Sequence, residues 1–149
     1  MTTSVDQAVT LFQQGFSCSQ SVCAAYAPAL GMPRELALKI SAGFGGGMGR
    51  SGEACGAVTG AIMAIGLKSG PIETTDAAAK ENTYALTHQL IEQFKNRHGT
   101  VSCCELLGCD ISQPEGLQHA REAQLFTKRC PQFVQDAAEI VAALIEEKK

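Results

Sequence analysis

Apolar residues recur at intervals of three and four along almost the whole chain, a helical pattern broken at intervals by glycine and proline. Val5, Ala8, Val9 and Phe12 lie on one face of a first helix, which Thr3 or Ser4 can cap and Gly15 stops. Ser17 can cap a second helix from Cys18 to about Ala27, and Gly31 ends that unit. Pro33 suits the start of a third, Arg34 to about Ala42. A glycine-rich stretch follows, and then a smooth apolar run that predicts a helix from about Cys55 to Leu67, ended by Lys68-Ser69-Gly70-Pro71.

Thr74 or Thr75, with Asp76 close behind, opens a long amphipathic helix to about Arg97, closed by Gly99. The segment VSCCELLGCD reads as one or two helical turns. Pro114 begins another helix to about Arg129, Pro131 interrupts it, and a last helix runs from Gln132 to about Glu147, its tail IEEKK a solvated end. No strand, linker or low-complexity region emerges. The expected fold is one all-α domain over residues 1–149, a bundle of about seven or eight helices with the glycine-rich loop before the central one.

The 149 residues include 45% hydrophobic ones, enough for one sizeable core. Aromatics are only 5% and tryptophan is absent, so Ala, Leu, Ile, Val and Met must fill that core. The net charge of -3 is spread without blocks, which argues against a nucleic-acid partner. The N-terminus lacks a basic start and carries Asp6 where a secretory signal needs an apolar run, and Ala57 to Leu67 is too short to span a bilayer. A cytoplasmic protein without membrane contact is the expectation. The long helix, rich in small residues, can pair with a second copy, which makes a homodimer a further expectation.

Seven cysteines are the anomaly. An odd number of them, in a core-rich chain expected in the cytosol, points to catalytic, redox or metal-binding roles rather than to a disulfide scaffold. Cys18 and Cys55 fall at predicted helix starts. Cys103 and Cys104 are vicinal and should face two directions. Cys109 follows Gly108 in a tight turn, Cys130 precedes Pro131 at a break, and Cys23 sits among core positions. Four thiols at helix ends can converge from distant parts of the chain. They would then form two exchangeable disulfides or a tetrahedral sulfur site for zinc or an iron–sulfur cluster, with Cys18, Cys55, one of Cys103 and Cys104, and Cys130 as ligands. The spacing leaves both open, since neither C-x-x-C nor the bacterial ferredoxin run occurs.

The glycine-rich stretch sharpens the question. Gly47 to Gly52 matches G-x-G-x-x-G, but ELALKISAGF before it reads as helix, where a dinucleotide fingerprint needs a strand. The other reading is that the loop serves Cys55. A cysteine in a first helical turn feels unpaired N–H groups and the positive end of the dipole, and Arg50 can fold back towards it. Both favour a thiolate, so Cys55 is the expected nucleophile. Gly56 and Gly60, with Ala57, Thr59 and Ala61, would let another segment and a second cysteine come close. Glu53 and Glu105 lie near the thiols and would oppose ionisation or cap helix starts. His88 and His98 on the long helix, and His119, read as ordinary solvated or half-buried helix histidines, with His98 suited to the last turn.

Cys18, the block FGGGMGRSGEACGAVTGA around Cys55, CCELLG from Cys103 and then Cys130 together resemble the C-GCAxxG-C-C family, described as "putative redox-active" proteins. The resemblance covers essentially the whole chain. It implies four signature cysteines, which by position are Cys18, Cys55, Cys103 and Cys130, in a small protein suited to redox work. Cys104 departs from the family pattern and leaves open which of the vicinal pair is active. The resemblance implies no substrate. Three functions follow in order: thiol–disulfide chemistry with a partner protein or small-molecule oxidant or reductant, a cysteine-ligated metal or cluster module, and a structural interaction protein.

Overall fold

Two of the predicted caps close helices as expected. Thr3 accepts from the backbone N–H of Asp6 and Asp6 returns the bond, a complete capping box. Ser17 and Gln20 build a second one. The long helix is capped by Asp76 rather than by Thr74 or Thr75, its side chain accepting from the Ala79 N–H at 3.0 Å. The computed structural model describes residues 3–146, in which these signals delimit α1 (Ser4–Gln13), α2 (Cys18–Tyr26), α3 (Arg34–Ser41), α4 (Gly56–Ser69), α5 (Ala77–His98), α6 (Cys103–Leu107), α7 (Pro114–Glu122) and α8 (Cys130–Glu146). Short 3-10 turns at Pro28–Leu30 and Ala42–Phe44 and a helical turn at Leu125–Lys128 connect them. The fold is all-α, with eight helices of five residues or more and no strand among the described residues. No helix among these residues is long and apolar enough to cross a membrane.

The packing is small-residue packing, as the composition requires. Helix α4 is apolar on most sides and lies at the centre, against α2, α5 and α8. Gly60 makes the α2 crossing possible: a Cβ there would meet the Ser19 carbonyl oxygen at 2.6 Å. Gly56 does the same one turn earlier, facing the Ser19 N and the Cys18 Cβ. The main core joins Val58, Ile65, Leu86, Leu90, Phe94, Val134 and Val141, and a smaller cluster holds Leu11, Cys23, Ala24, Ala27 and Ala37 under α3. Tyr26 ties α2 to α8 by donating its hydroxyl to the Ala138 carbonyl at 2.8 Å.

Two expectations change. Pro131 does not interrupt a helix; it is the second residue of α8, where its missing N–H is one that the first turn leaves unpaired anyway. The break falls earlier, at Gln124, which adopts left-handed backbone with φ 57°. The expected end of the last helix at Glu147 and the tail to Lys149 lie outside the described residues.

The glycine-rich stretch has the larger surprise. Gly46, Gly47, Met48, Gly49 and Arg50 form a run of five left-handed residues, with φ between 63° and 69°. For residues with a Cβ this conformation costs about 1–2 kcal/mol each, which explains glycine at three of the five. The turn is pinned at its exit: the Gly52 N–H donates to Gly46 O and the Glu53 N–H to Gly47 O, at 3.2 and 3.0 Å.

Candidate functional site

The residues leaving the left-handed turn pair with those entering α6. Ala54 and Ser102 form an isolated antiparallel bridge. The Cys55 N–H donates to Val101 O at 2.7 Å, and the Cys103 N–H donates to Glu53 O at 2.6 Å. Side chains alternate across such a pair, so Cys55 and Cys103 emerge on the same side, opposite to Ala54 and Ser102. Gly47 completes this corner, because any side chain on it would strike the Cys103 Cβ.

Cys18 and Cys130 arrive from the other side. Cys18 is the first residue of α2, after its cap Ser17, and Cys130 opens α8. Cys103 opens α6 after its own cap, Ser102, and Cys55 occupies the cap position of α4. Thus four helix starts present four sulfurs to one place. That place is a cavity of about 130 Å³ lined by Cys18, Cys55, Cys103 and Cys130, with Phe12, Phe126, Phe133, Leu106 and Leu107 making most of the rest of its wall apolar. The volume is close to that of an engineered apolar cavity that stays dry and admits benzene.

The surroundings decide which thiol ionises. Cys18 and Cys130 lie side by side in this cavity and act on each other's protons, which favours loss of the first and resists loss of the second. The neighbouring Cys18 thiol holds the Cys130 thiol below its ordinary range against the opposing effect of burial, while Cys18 itself is pushed well up. Burial pushes Cys55 up to about 11. The N–H groups of Ala57 and Val58 face its sulfur and favour the thiolate, but no cap hydrogen bond of normal geometry forms and burial outweighs them. Cys103 is pushed up to about 12, first by burial and then by the negative charge that Cys55 and Cys130 can carry, with Cys104 and Cys109 adding to it. The expected low-pKa Cys55 is therefore corrected: the helix start is where the sequence places it, but the apolar wall dominates, and of the four cavity thiols only Cys130 is shifted down, by its neighbour Cys18.

Arg50 is corrected too. It is exposed, its stem packs against Gly46, and it lines a separate outer groove rather than the thiol cavity. It is not among the groups acting on Cys55. Of the vicinal pair, Cys103 faces the cavity, whereas Cys104 points outward with its thiol 3.4 Å from Asp110 Oδ1. Cys23 belongs to the smaller core cluster, as expected, and Cys109 packs on the outside of the main one. All seven thiols are free. Among the described residues no set of three or more His, Cys, Asp and Glu side chains is arranged to hold a metal ion as they stand.

The carboxylates expected near the thiols do other work. Glu53 is exposed and serves through its backbone carbonyl, and Glu105 accepts from the Thr100 hydroxyl at 2.7 Å. His88 is exposed beside Glu92, and His119 is exposed on α7. His98 is half-buried in the last turn of α5, as expected, and has a partner the sequence does not signal. Its Nε2 lies 2.7 Å from Asp136 Oδ2, its ring packs between Phe94 and Phe133, and Asp136 also takes Arg97 at 3.1 Å and Gln132 at 2.8 Å. Phe133 is shared with the thiol cavity. Asp136 lies 38 positions from His98 in the chain, so no local spacing signals the pair.

The chain belongs to the C_GCAxxG_C_C family, whose description is "Putative redox-active protein" and whose model matches residues 16–144. No curated protein and no solved structure matches it significantly.

Proposed function

We propose that the chain is a redox-active protein working by thiol–disulfide exchange in the four-cysteine cavity. The observation that carries this reading is the convergence of Cys18, Cys55, Cys103 and Cys130, from four separate helix starts, on one apolar space. The family description supports the redox class.

The Cys130 thiolate attacks one sulfur of a disulfide, forming a mixed disulfide and releasing the other sulfur as a thiolate. Cys18 gives up its proton, by way of solvent, to that departing thiolate. The Cys18 sulfur then attacks Cys130, expels the second sulfur and leaves a Cys18–Cys130 disulfide. The second sulfur leaves as a thiolate and takes up the proton Cys130 had lost. In sum, one dithiol of the protein is oxidised and one disulfide is reduced, with two electrons and two protons transferred. Cys55 and Cys103, paired across the Ala54–Ser102 bridge, form the second dithiol and exchange with the first.

Alkylation with mass mapping tests the assignment. In reduced, folded protein at neutral pH, Cys130 is modified ahead of Cys55 and Cys103, and mild oxidation removes two hydrogens from the intact mass with a Cys18–Cys130 peptide as the first product. Four thiols inert until unfolding, or a native mass carrying metal lost on denaturation, would overturn the reading.

A further inference from the structure

The thiol cavity shares a wall with a much larger groove. Phe12, Ser17, Gly46 and Phe126 line both. The groove holds about 710 Å³, within the range of small-molecule sites, whereas the cavity holds about 130 Å³. The cavity therefore has room for a disulfide and its nearest methylenes, and the rest of a reactant must lie outside.

The outer groove has a definite charge. Arg50 and Arg121 line it and no Asp or Glu does, in a chain whose net charge is -3. Neither arginine forms an ion pair among the described residues, whereas Arg97, away from this groove, engages two carboxylates. Arg50 also holds its left-handed backbone, φ 65°, at the mouth, and such strain persists where the surroundings over-determine it. Guanidinium groups present a planar fork that matches carboxylates.

We infer that this groove is the docking site for a low-molecular-weight disulfide bearing carboxylates, which Arg50 and Arg121 hold while its sulfurs pass the Phe12–Phe126 wall into the thiol cavity. The inference rests on the thiol–disulfide reading and names its reactant class. The exchange is the one written above: the disulfide becomes two carboxylate-bearing thiols as the Cys18–Cys130 dithiol becomes a disulfide. Arg50 thereby acquires a role towards the reactant instead of towards Cys55.

Three disulfides separate charge from chemistry: 3,3′-dithiodipropionate (anionic), 2-hydroxyethyl disulfide (neutral) and cystamine (cationic). Oxidation of the reduced protein, followed by intact mass, is expected to be fastest with the anionic one, by about tenfold over the neutral one at low ionic strength. That ratio falls towards one in about 1 M salt, where the screening length is about 3 Å, and in the Arg50→Gln/Arg121→Gln variant, while Arg50→Lys keeps most of it. A second readout needs no redox step: the unreactive thioether 3,3′-thiodipropionate should shift the NMR signals of Gly46, Gly49 and the arginine side chains in the wild type and not in the double Gln variant. Equal rates for all three disulfides with no thioether binding would overturn the inference and leave the thiol chemistry standing. Thioether binding with no disulfide reacting would overturn the thiol–disulfide reading, and the reactant assignment with it.

Discussion

A methyl group on Gly47 tests the corner that holds Cys103 against Cys55. Its Cβ would lie 2.6 Å from the Glu53 N, 2.7 Å from the Cys103 Cβ and 2.9 Å from the Gly52 carbonyl carbon. Two of these atoms are backbone. They are fixed by the Glu53 N–H bond to Gly47 O and by the Cys103 N–H bond to Glu53 O, so no side chain can swing away to make room. The left-handed backbone at φ 66° costs alanine about 1–2 kcal/mol. Overpacking at a site that cannot relax adds about 1–3 kcal/mol. Gly47→Ala should therefore lose about 2–5 kcal/mol, a large part of the roughly 5–15 kcal/mol typical of a domain.

Gly49→Ala is the control. Its backbone is equally left-handed, φ 63°, but the nearest heavy atom to its Cβ is the Gly43 carbonyl oxygen at 4.0 Å. It should lose only the conformational cost, about 1–2 kcal/mol. Urea unfolding of both variants under reductant, followed by circular dichroism, reads the difference, which isolates the contact with Cys103 and Glu53. Oxidation gives a second measure, because displacing Cys103 should slow any disulfide to Cys55 in Gly47→Ala and not in Gly49→Ala. Equal destabilisation of the two variants would refute the close approach and the placement of Cys103 built on it.

Two further outcomes are expected. The thiol of Cys55 stays neutral in the fold up to about pH 11, whereas an unfolded cysteine ionises near 8.5, so between these values the unfolded state holds fewer protons and stability falls as pH rises, by about 3 kcal/mol over that window and not below it; alkaline melts of reduced Cys55→Ala should show a shallower fall, and an unchanged slope would refute the buried neutral thiol. Asp136→Ala leaves His98 and Gln132 without their buried acceptor between α5 and α8 and should cost about 2–3 kcal/mol, given its slight exposure, whereas Glu139→Ala at the exposed end of the same network should cost under about 1 kcal/mol, both read by urea unfolding.

The helices were legible because their signals are local. Thr3 and Ser17 as caps, and Gly31 and Gly99 as stops with φ 98° and 84°, act within a turn of the residues they organise. The convergence of Cys18, Cys55, Cys103 and Cys130 was legible through the family pattern and through their places at helix starts. What the sequence hid depends on contacts distant in the chain. The left-handed turn could not be read from glycine content, since Met48 and Arg50 adopt the same backbone against their own preference. The break at Gln124 carries no glycine or proline, while Pro131, which looks like a breaker, is a starter. The Cys55 thiol shows the same division: its helix start is local, but the burial that outweighs it comes from residues such as Phe126 and Phe133, far away in sequence.

The cavity also imposes an order on its chemistry. Each thiolate there raises its neighbours: Cys130, Cys55 and Cys103 all act on Cys18 in this sense, and Cys55 and Cys130 on Cys103. An apolar space of about 130 Å³ offers little to solvate a second charge. Four thiols in one such place therefore oppose a second anion, and the mutual effect of Cys18 and Cys130 favours that pair for the first. On the proposed chemistry, closing the Cys18–Cys130 disulfide removes the negative charge and with it part of what keeps Cys55 and Cys103 protonated. One of them can then ionise and attack the new disulfide, so that reaction of the first dithiol prepares the second. Both dithiols would then be oxidised one after the other, with the Cys18–Cys130 bridge appearing before any bridge that contains Cys55 or Cys103. Time-resolved mapping of bridges under limiting oxidant reads that order, and a Cys55–Cys103 bridge formed first would reverse the electrostatic argument.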